Sequence, residues 1–157
     1  MIPSIVAREM MVSNLITLSP EMDVFDAIDV LLRKKISGAP VVDPDGRFLG
    51  IFSEKSCMRF VLDAAYEQLP SNMLMAFVDR NPRVITEETD FLTVAQTFID
   101  AACRRLPVLD DERRLKGQIS RRDVMRVARQ HIGAARTPVK QQGLYVSALY
   151  EDGQRPI

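Results

Sequence analysis

The chain repeats itself. Displaced by 67 positions, residues 14–61 fall on residues 81–128 without a gap. Asn14 lands on Asn81, Glu21 on Glu88, Asp23 on Asp90, Pro40-Val41 on Pro107-Val108 and Asp43 on Asp110. Arg47 lands on Arg114, Gly50 on Gly117, Ser53 on Ser120, and Met58-Arg59 on Met125-Arg126. A unit this short buries only one side of its elements, so two adjacent copies are expected to hide their remaining apolar surface against each other.

Each copy reads alike. A short extended run opens it (Leu15–Leu18, then Arg83–Thr86). A helix follows, capped by Asp23 or Asp90 at its N-terminus. Apolar residues recur there at helical spacing: Val24, Ala27, Ile28, Leu31 and Leu32, then Phe91, Val94, Ala95, Phe98 and Ile99. Next comes a hairpin, Ala39–Asp43 and Arg47–Phe52 around the turn Asp43-Pro44-Asp45-Gly46. In copy two it is Leu106–Leu109 and Leu115–Ile119 around Asp110–Arg113. A last helix runs from Ser53 to about Leu69, and from Ser120 to about Ala135. Pro40 and Pro107 lack an amide proton, which suggests a sheet edge. Ile5–Met11 matches Asn72–Val78 as an apolar lead-in helix. The expected class is α/β (α+β): two β-α-β-β-α repeats packed as a pseudo-two-fold pair.

Composition fits one domain: 157 residues, 46% apolar and 27% charged, with a formal net charge of zero. Zero charge argues against a dedicated nucleic-acid binder. The zero is a cancellation, since residues 1–78 carry −3 and residues 79–157 carry +3. The arginines of the second half (Arg104, Arg105, Arg113, Arg114, Arg121, Arg122, Arg126, Arg129) fit either a solvated basic face or an anion site. Cys57 and Cys103 lack a pairing pattern and read as two buried, reduced thiols of a cytoplasmic protein. The opening MIPSIVAREMMV has Arg8 and Glu9 inside its apolar stretch, unlike a signal peptide. No apolar run is long enough to span a bilayer. His131, the single histidine, reads as a surface residue near a helix C-terminus. A catalytic triad or metal set has no material here, so no enzyme and no required cofactor is expected.

The segments SPEMDVFDAIDVLL, SGAPVVDPDGRFLGIFS and RRLPVLDDERRLKGQISRRD, taken in order and in register, resemble a tandem pair of CBS domains (cystathionine-β-synthase domains), a Bateman module. On that resemblance residues 1–135 form the pair, repeat one about 5–69 and repeat two about 72–135, with 136–157 a C-terminal extension. The resemblance implies a regulatory sensor that binds an adenosine-containing ligand (AMP, ADP, ATP or S-adenosylmethionine) in a cleft between motifs. It also implies a homodimer, a disc of two pairs.

The family's ligand signature, Gly-x-x-Ser/Thr-x-x-Asp, stands whole in copy two as Gly117, Ser120 and Asp123. A helix N-terminus at Ser120 suits a phosphate, and the Asp123 carboxylate can accept from both hydroxyls of a ribose. Arg104, Arg105, Arg121 and Arg122 would neutralise phosphate. Val84, Ile85, Leu106, Pro107 and Ile119 would form an adenine slot or belong to ordinary core. Ser120 and Asp123 also fit a simple helix cap, and both roles can coexist. Copy one reads Gly50, Ser53 and Ser56, with Ser37 and Gly38 in place of Arg104 and Arg105. Loss of the carboxylate weakens such a site by roughly 1.5–3 kcal/mol, about 10- to 100-fold. The copy-one site (Thr17, Ser37, Gly38, Ala39, Phe52, Ser53, Ser56) is therefore expected to be weak or vestigial.

Two functions remain open: a ligand sensor acting chiefly through repeat two, or a ligand-free dimerisation scaffold for an unidentified effector protein. In the extension, Thr137-Pro138 breaks the preceding helix. Leu144–Tyr150 is rich in strand formers and is expected to pack on this chain or another, or else to serve as a linker or partner-binding segment.

Overall fold

A computed structural model of the chain describes residues 4–66 and 72–132. The extension at 136–157 and the expected helix ends at Leu69 and Ala135 lie outside them. Elements follow in the order α1 (Ala7–Met10), α2 (Val24–Lys34), β1 (Gly38–Val42), β2 (Phe48–Ser53) and α3 (Glu54–Ala65). After a 3-10 turn at Leu74–Ala76 come β3 (Ile85–Thr86), α4 (Phe91–Asp100), β4 (Arg105–Leu109), β5 (Leu115–Ser120) and α5 (Arg121–His131).

Local chemistry sets these boundaries. The Asp23 carboxylate accepts from the Phe25 amide and Asp90 from the Thr93 amide, so both helices start where a side chain satisfies a free N–H. Asp43 and Asp110 tie their turns, each accepting two amides, from Asp45 and Arg47 and from Glu112 and Arg114. The left-handed turn position is Gly46 in repeat one and Arg113, at φ 62°, in repeat two.

Repeat two forms a three-stranded sheet, β3-β4-β5, with β3 parallel and β5 antiparallel to β4. In repeat one the first strand shrinks to a single bridge, Leu18 on Val41, beside the β1-β2 hairpin. The register is conserved across copies, since Ile85 pairs with Val108 as Leu18 pairs with Val41. The opening runs at Leu15–Leu18 and Arg83–Thr86 are therefore shorter than the sequence suggested.

One proline corrects another expectation. Pro107 is fully buried in the middle strand, and Pro40 lies between Leu18 and β2. Pro107 is therefore not at a sheet edge, while Pro40 stands in a two-stranded hairpin flanked only by the Leu18 bridge. The Pro40 carbonyl accepts from the Leu18 amide, and the next bond on that side comes from Val42. The missing proline N–H thus falls where the short parallel partner has not yet begun, so no ladder bond is lost.

Two apolar clusters form the core, and the lead-in segments are exchanged between them. Leu18, Val24, Leu31, Val41, Phe52 and Phe60 of repeat one pack with Leu74 and Phe77. Phe91, Val94, Leu106, Val108, Ile119 and Val127 of repeat two pack with Ile5, Ala7 and Met10. Val12 pairs with Gln118 on β5, and Asp79 with Ile51 on β2. Arg8 reaches Glu87 at 3.1 Å and also pairs with Glu88. Each lead-in therefore completes the other repeat.

Equivalent residues also meet across the pseudo-two-fold axis. Arg47 bridges Arg114, the Phe48 amide donates to the Arg113 carbonyl at 2.9 Å, and the Leu115 amide donates to Gly46 at 3.0 Å. Leu32 and Ile99, expected on the packed helix face, are instead 71% and 78% exposed. Their helices turn Val24, Ala27 and Leu31, and Phe91, Val94 and Thr97, inward.

Candidate ligand site

The site is built at the join of β5 and α5. Ser120 ends the strand with extended backbone (φ −104°, ψ 164°) and caps the helix, its hydroxyl oxygen accepting from the Asp123 amide at 3.2 Å. Asp123 answers in a reciprocal capping box. Its Oδ2 accepts from the Ser120 amide at 2.8 Å and from the Ser120 hydroxyl at 2.9 Å. Oδ1 accepts from Arg126 Nη2 at 2.6 Å. Asp123 is only 5% exposed and is the one buried acidic side chain among the described residues. An ionised group is costly to bury without partners, and here three donors compensate it.

The expected arginines divide. Arg105, half-buried, sits opposite Ser120 in the β4-β5 register. Its Nη1 donates to the Gly38 carbonyl at 3.0 Å, so it reaches its own counterpart in repeat one. Arg104, Arg121 and Arg122 are exposed. Arg83, which the sequence did not single out, lies with Arg121 close enough to Cys103 to oppose the upward push that burial gives the thiol pKa. Only spatial proximity identifies Arg83, because it lies 37 positions before Ser120 in sequence. Cys103 is half-buried rather than buried; Cys57 is buried, and burial pushes its thiol pKa up too. His131 ends α5, exposed.

The apolar positions are mostly core. Ile85, Leu106, Pro107 and Ile119 are buried in repeat two, and only Val84 is half-exposed beside them. In repeat one, Ala39 and Phe52 are likewise core, Ser37, Gly38, Ser53 and Ser56 are half-buried, and Thr17 is exposed.

The two copies differ most at the capping box. Ser53 and Ser56 form the same reciprocal motif, but its bonds stretch to 3.3–3.4 Å and it holds no charge. Repeat two thus presents a buried carboxylate in the first turn of α5, paired with Arg126, where repeat one presents a hydroxyl. No group of three or more metal-ligating side chains occurs among the described residues, and no described helix is long and apolar enough to cross a membrane.

The CBS domain family model matches residues 7–63 and 75–130. The chain is 32% identical over 120 residues to the uncharacterized protein MJ1225 of Methanocaldococcus jannaschii, covering 76% of this chain and 41% of that one. It is 28% identical over 155 residues to inosine-5'-monophosphate dehydrogenase of Aquifex aeolicus, covering 91% of this chain and 31% of the enzyme. The chain thus spans less than half the length of these two relatives. Among solved structures, CBSX2 in complex with AMP superposes with a TM-score of 0.72 at 25% identity, covering 80% of this chain and 96% of that one. The CBS domain pair of MJ0100, solved with 5'-methylthioadenosine and S-adenosyl-L-methionine, superposes with a TM-score of 0.67 at 21% identity, covering 85% of this chain and all of that one.

Proposed function

The chain belongs to the CBS-domain family as a tandem pair, and from that premise we propose that it is a regulatory module sensing an adenosine-containing ligand, chiefly through repeat two and without catalysis. The observation that carries this reading is Asp123, a 5%-exposed carboxylate at the first turn of α5. Its place is taken by Ser56 in the other copy. The AMP complex of CBSX2, which shares this fold, supports an adenine nucleotide as the ligand class. In this reading the ribose hydroxyls donate to Asp123, while Ser120 and the free amides of α5 face phosphate. Arg121, Arg122 and Arg83 supply the countercharge. The unpaired thiols Cys57 and Cys103 suit a reducing, cytoplasmic setting.

The test is thermal stabilisation by AMP, ADP, ATP and S-adenosylmethionine. A saturable rise in Tm is expected, lost in Asp123→Ala and nearly unchanged in Ser56→Ala. Equal loss in both variants, or no rise with any ligand, sinks the assignment.

A second reading, a scaffold that assembles with itself or an effector protein, draws on the outward helix faces. Phe25 and Leu92, Leu32 and Ile99, and Met58 and Met125 are exposed as equivalent pairs, an apolar surface of the kind that marks interfaces. We propose that a second copy covers it. Leu32→Asp with Ile99→Asp should convert a dimer to a monomer in sedimentation without loss of folding. A wild-type monomer at all concentrations refutes the dimer.

A further inference from the structure

The Asp123 carboxylate already has its partners. Oδ2 takes two donors from Ser120, and Oδ1 takes one from Arg126. A carboxylate has about four acceptor positions. Oδ2 is full, and Arg126 holds one of the two positions on Oδ1. A vicinal diol brings two hydroxyl donors and has only one open position to meet.

The three donors differ in how readily they leave, and the Ser120 hydroxyl is held in place by the Asp123 amide, from which its oxygen accepts at 3.2 Å. The Ser120 amide is fixed by the backbone at the start of α5. The Arg126 side chain is 54% exposed and is one turn along the same helix. It can exchange its carboxylate for water at little cost, as half-exposed ion pairs do. Arg126 is therefore the mobile member of this box. In repeat one the equivalent arginine, Arg59, has Ser56 in the position that Asp123 takes in repeat two.

We infer that Arg126 is the specificity-determining residue of the repeat-two site: its guanidinium occupies the acceptor position that a ligand's vicinal diol must take, so a diol enters by displacing it. The inference rests on the nucleotide reading given above. Arg126 sets how much a diol is worth to the site, and it also keeps the buried carboxylate compensated while no ligand is present. Removal of the guanidinium should therefore tighten binding of a diol-bearing ligand relative to one without it. A general loss of positive charge would weaken both ligands alike, because both carry the same phosphate.

The experiment compares AMP with 2′,3′-dideoxy-AMP by calorimetry on the full chain, in wild type, Arg126→Ala and Arg126→Lys. The affinity ratio of AMP to its dideoxy analogue should rise about two- to fivefold in Arg126→Ala, the range a half-exposed ion pair contributes. Arg126→Lys, which retains a donor, should bring the ratio back toward wild type. An unchanged or lower ratio in Arg126→Ala, with AMP still bound by wild type, overturns the inference and leaves the nucleotide reading standing. Failure of AMP to bind either wild type or Arg126→Ala overturns the inference, and the nucleotide reading falls with it only if ADP, ATP and S-adenosylmethionine also give no thermal stabilisation. Circular dichroism separates these outcomes from misfolding, and alanine is a strong helix former at this position.

Discussion

Gly50 and Gly117 occupy equivalent positions but tolerate a side chain differently. A Cβ at Gly50 would run into the backbone carbonyl of Asp79, and its φ of 151° is one that L side chains rarely adopt. At Gly117 the nearest atoms to a Cβ are those of the Met11 side chain, a flexible thioether, rather than backbone. Gly50→Ala should therefore cost more than about 2 kcal/mol, combining overpacking with backbone strain. Gly117→Ala should cost roughly half that or less. Urea denaturation of the two variants checks the order, and the reverse order would contradict the packing described. Gly50 thus has a structural reason to be glycine that is independent of any ligand, whereas Ser120 and Asp123 carry both a cap and the candidate site.

At the level of elements, the start of α4 and the β4-β5 turn carry the pH sensitivity. The Thr93 amide holds the Asp90 carboxyl below its ordinary value, and the Arg114 amide does the same for Asp110. A carboxyl depressed in the folded state contributes stability above its unfolded pKa of about 3.9 and loses it as pH falls through the folded value. Thermal stability should thus decline below about pH 4, and Asp90→Asn, which does not titrate, should flatten that decline. A Tm series from pH 2 to 6 on both proteins measures it. Most elements were legible from sequence because the 67-residue displacement doubled every signal. Asp23 and Asp90, or Pro40 and Pro107, could be read against each other. The failures have physical causes. A buried proline mimics an edge proline, because what matters is the missing partner on one side of the strand, and sequence does not record that. Leu32 and Ile99 satisfy helical spacing yet lie just past the buried stripe, and a spacing rule cannot say how wide that stripe is. The acidic and serine members of the candidate site were legible as a spaced motif. Arg126 as the partner of Asp123, and Arg83 near Cys103, required coordinates.

The whole molecule depends on the exchange of lead-ins. Met10 completes the core of repeat two and Phe77 that of repeat one. Met10→Ala should cost about 2–5 kcal/mol and Phe77→Ala about 3–5 kcal/mol, as large-to-small changes in a core do. The location of the damage is the sharper test. In hydrogen exchange, Met10→Ala should loosen α4 and β5, far along the chain, while Phe77→Ala should loosen α2 and β2, which precede it. Loosening confined to the sequence neighbours of each substitution would contradict the crossed arrangement.

That crossing says something about what one unit could be by itself. Cut free with its own leader, a single unit would have an open core and a leader with nowhere to sit. Two identical free units would cure both defects at once, each lending its leader to the other. The chain is in effect such a symmetric pair with its ends joined, a homodimer fused end to end. Fusion frees the halves to differ, and the difference is visible: one half has a buried carboxylate at its helix start, and the other has a serine there.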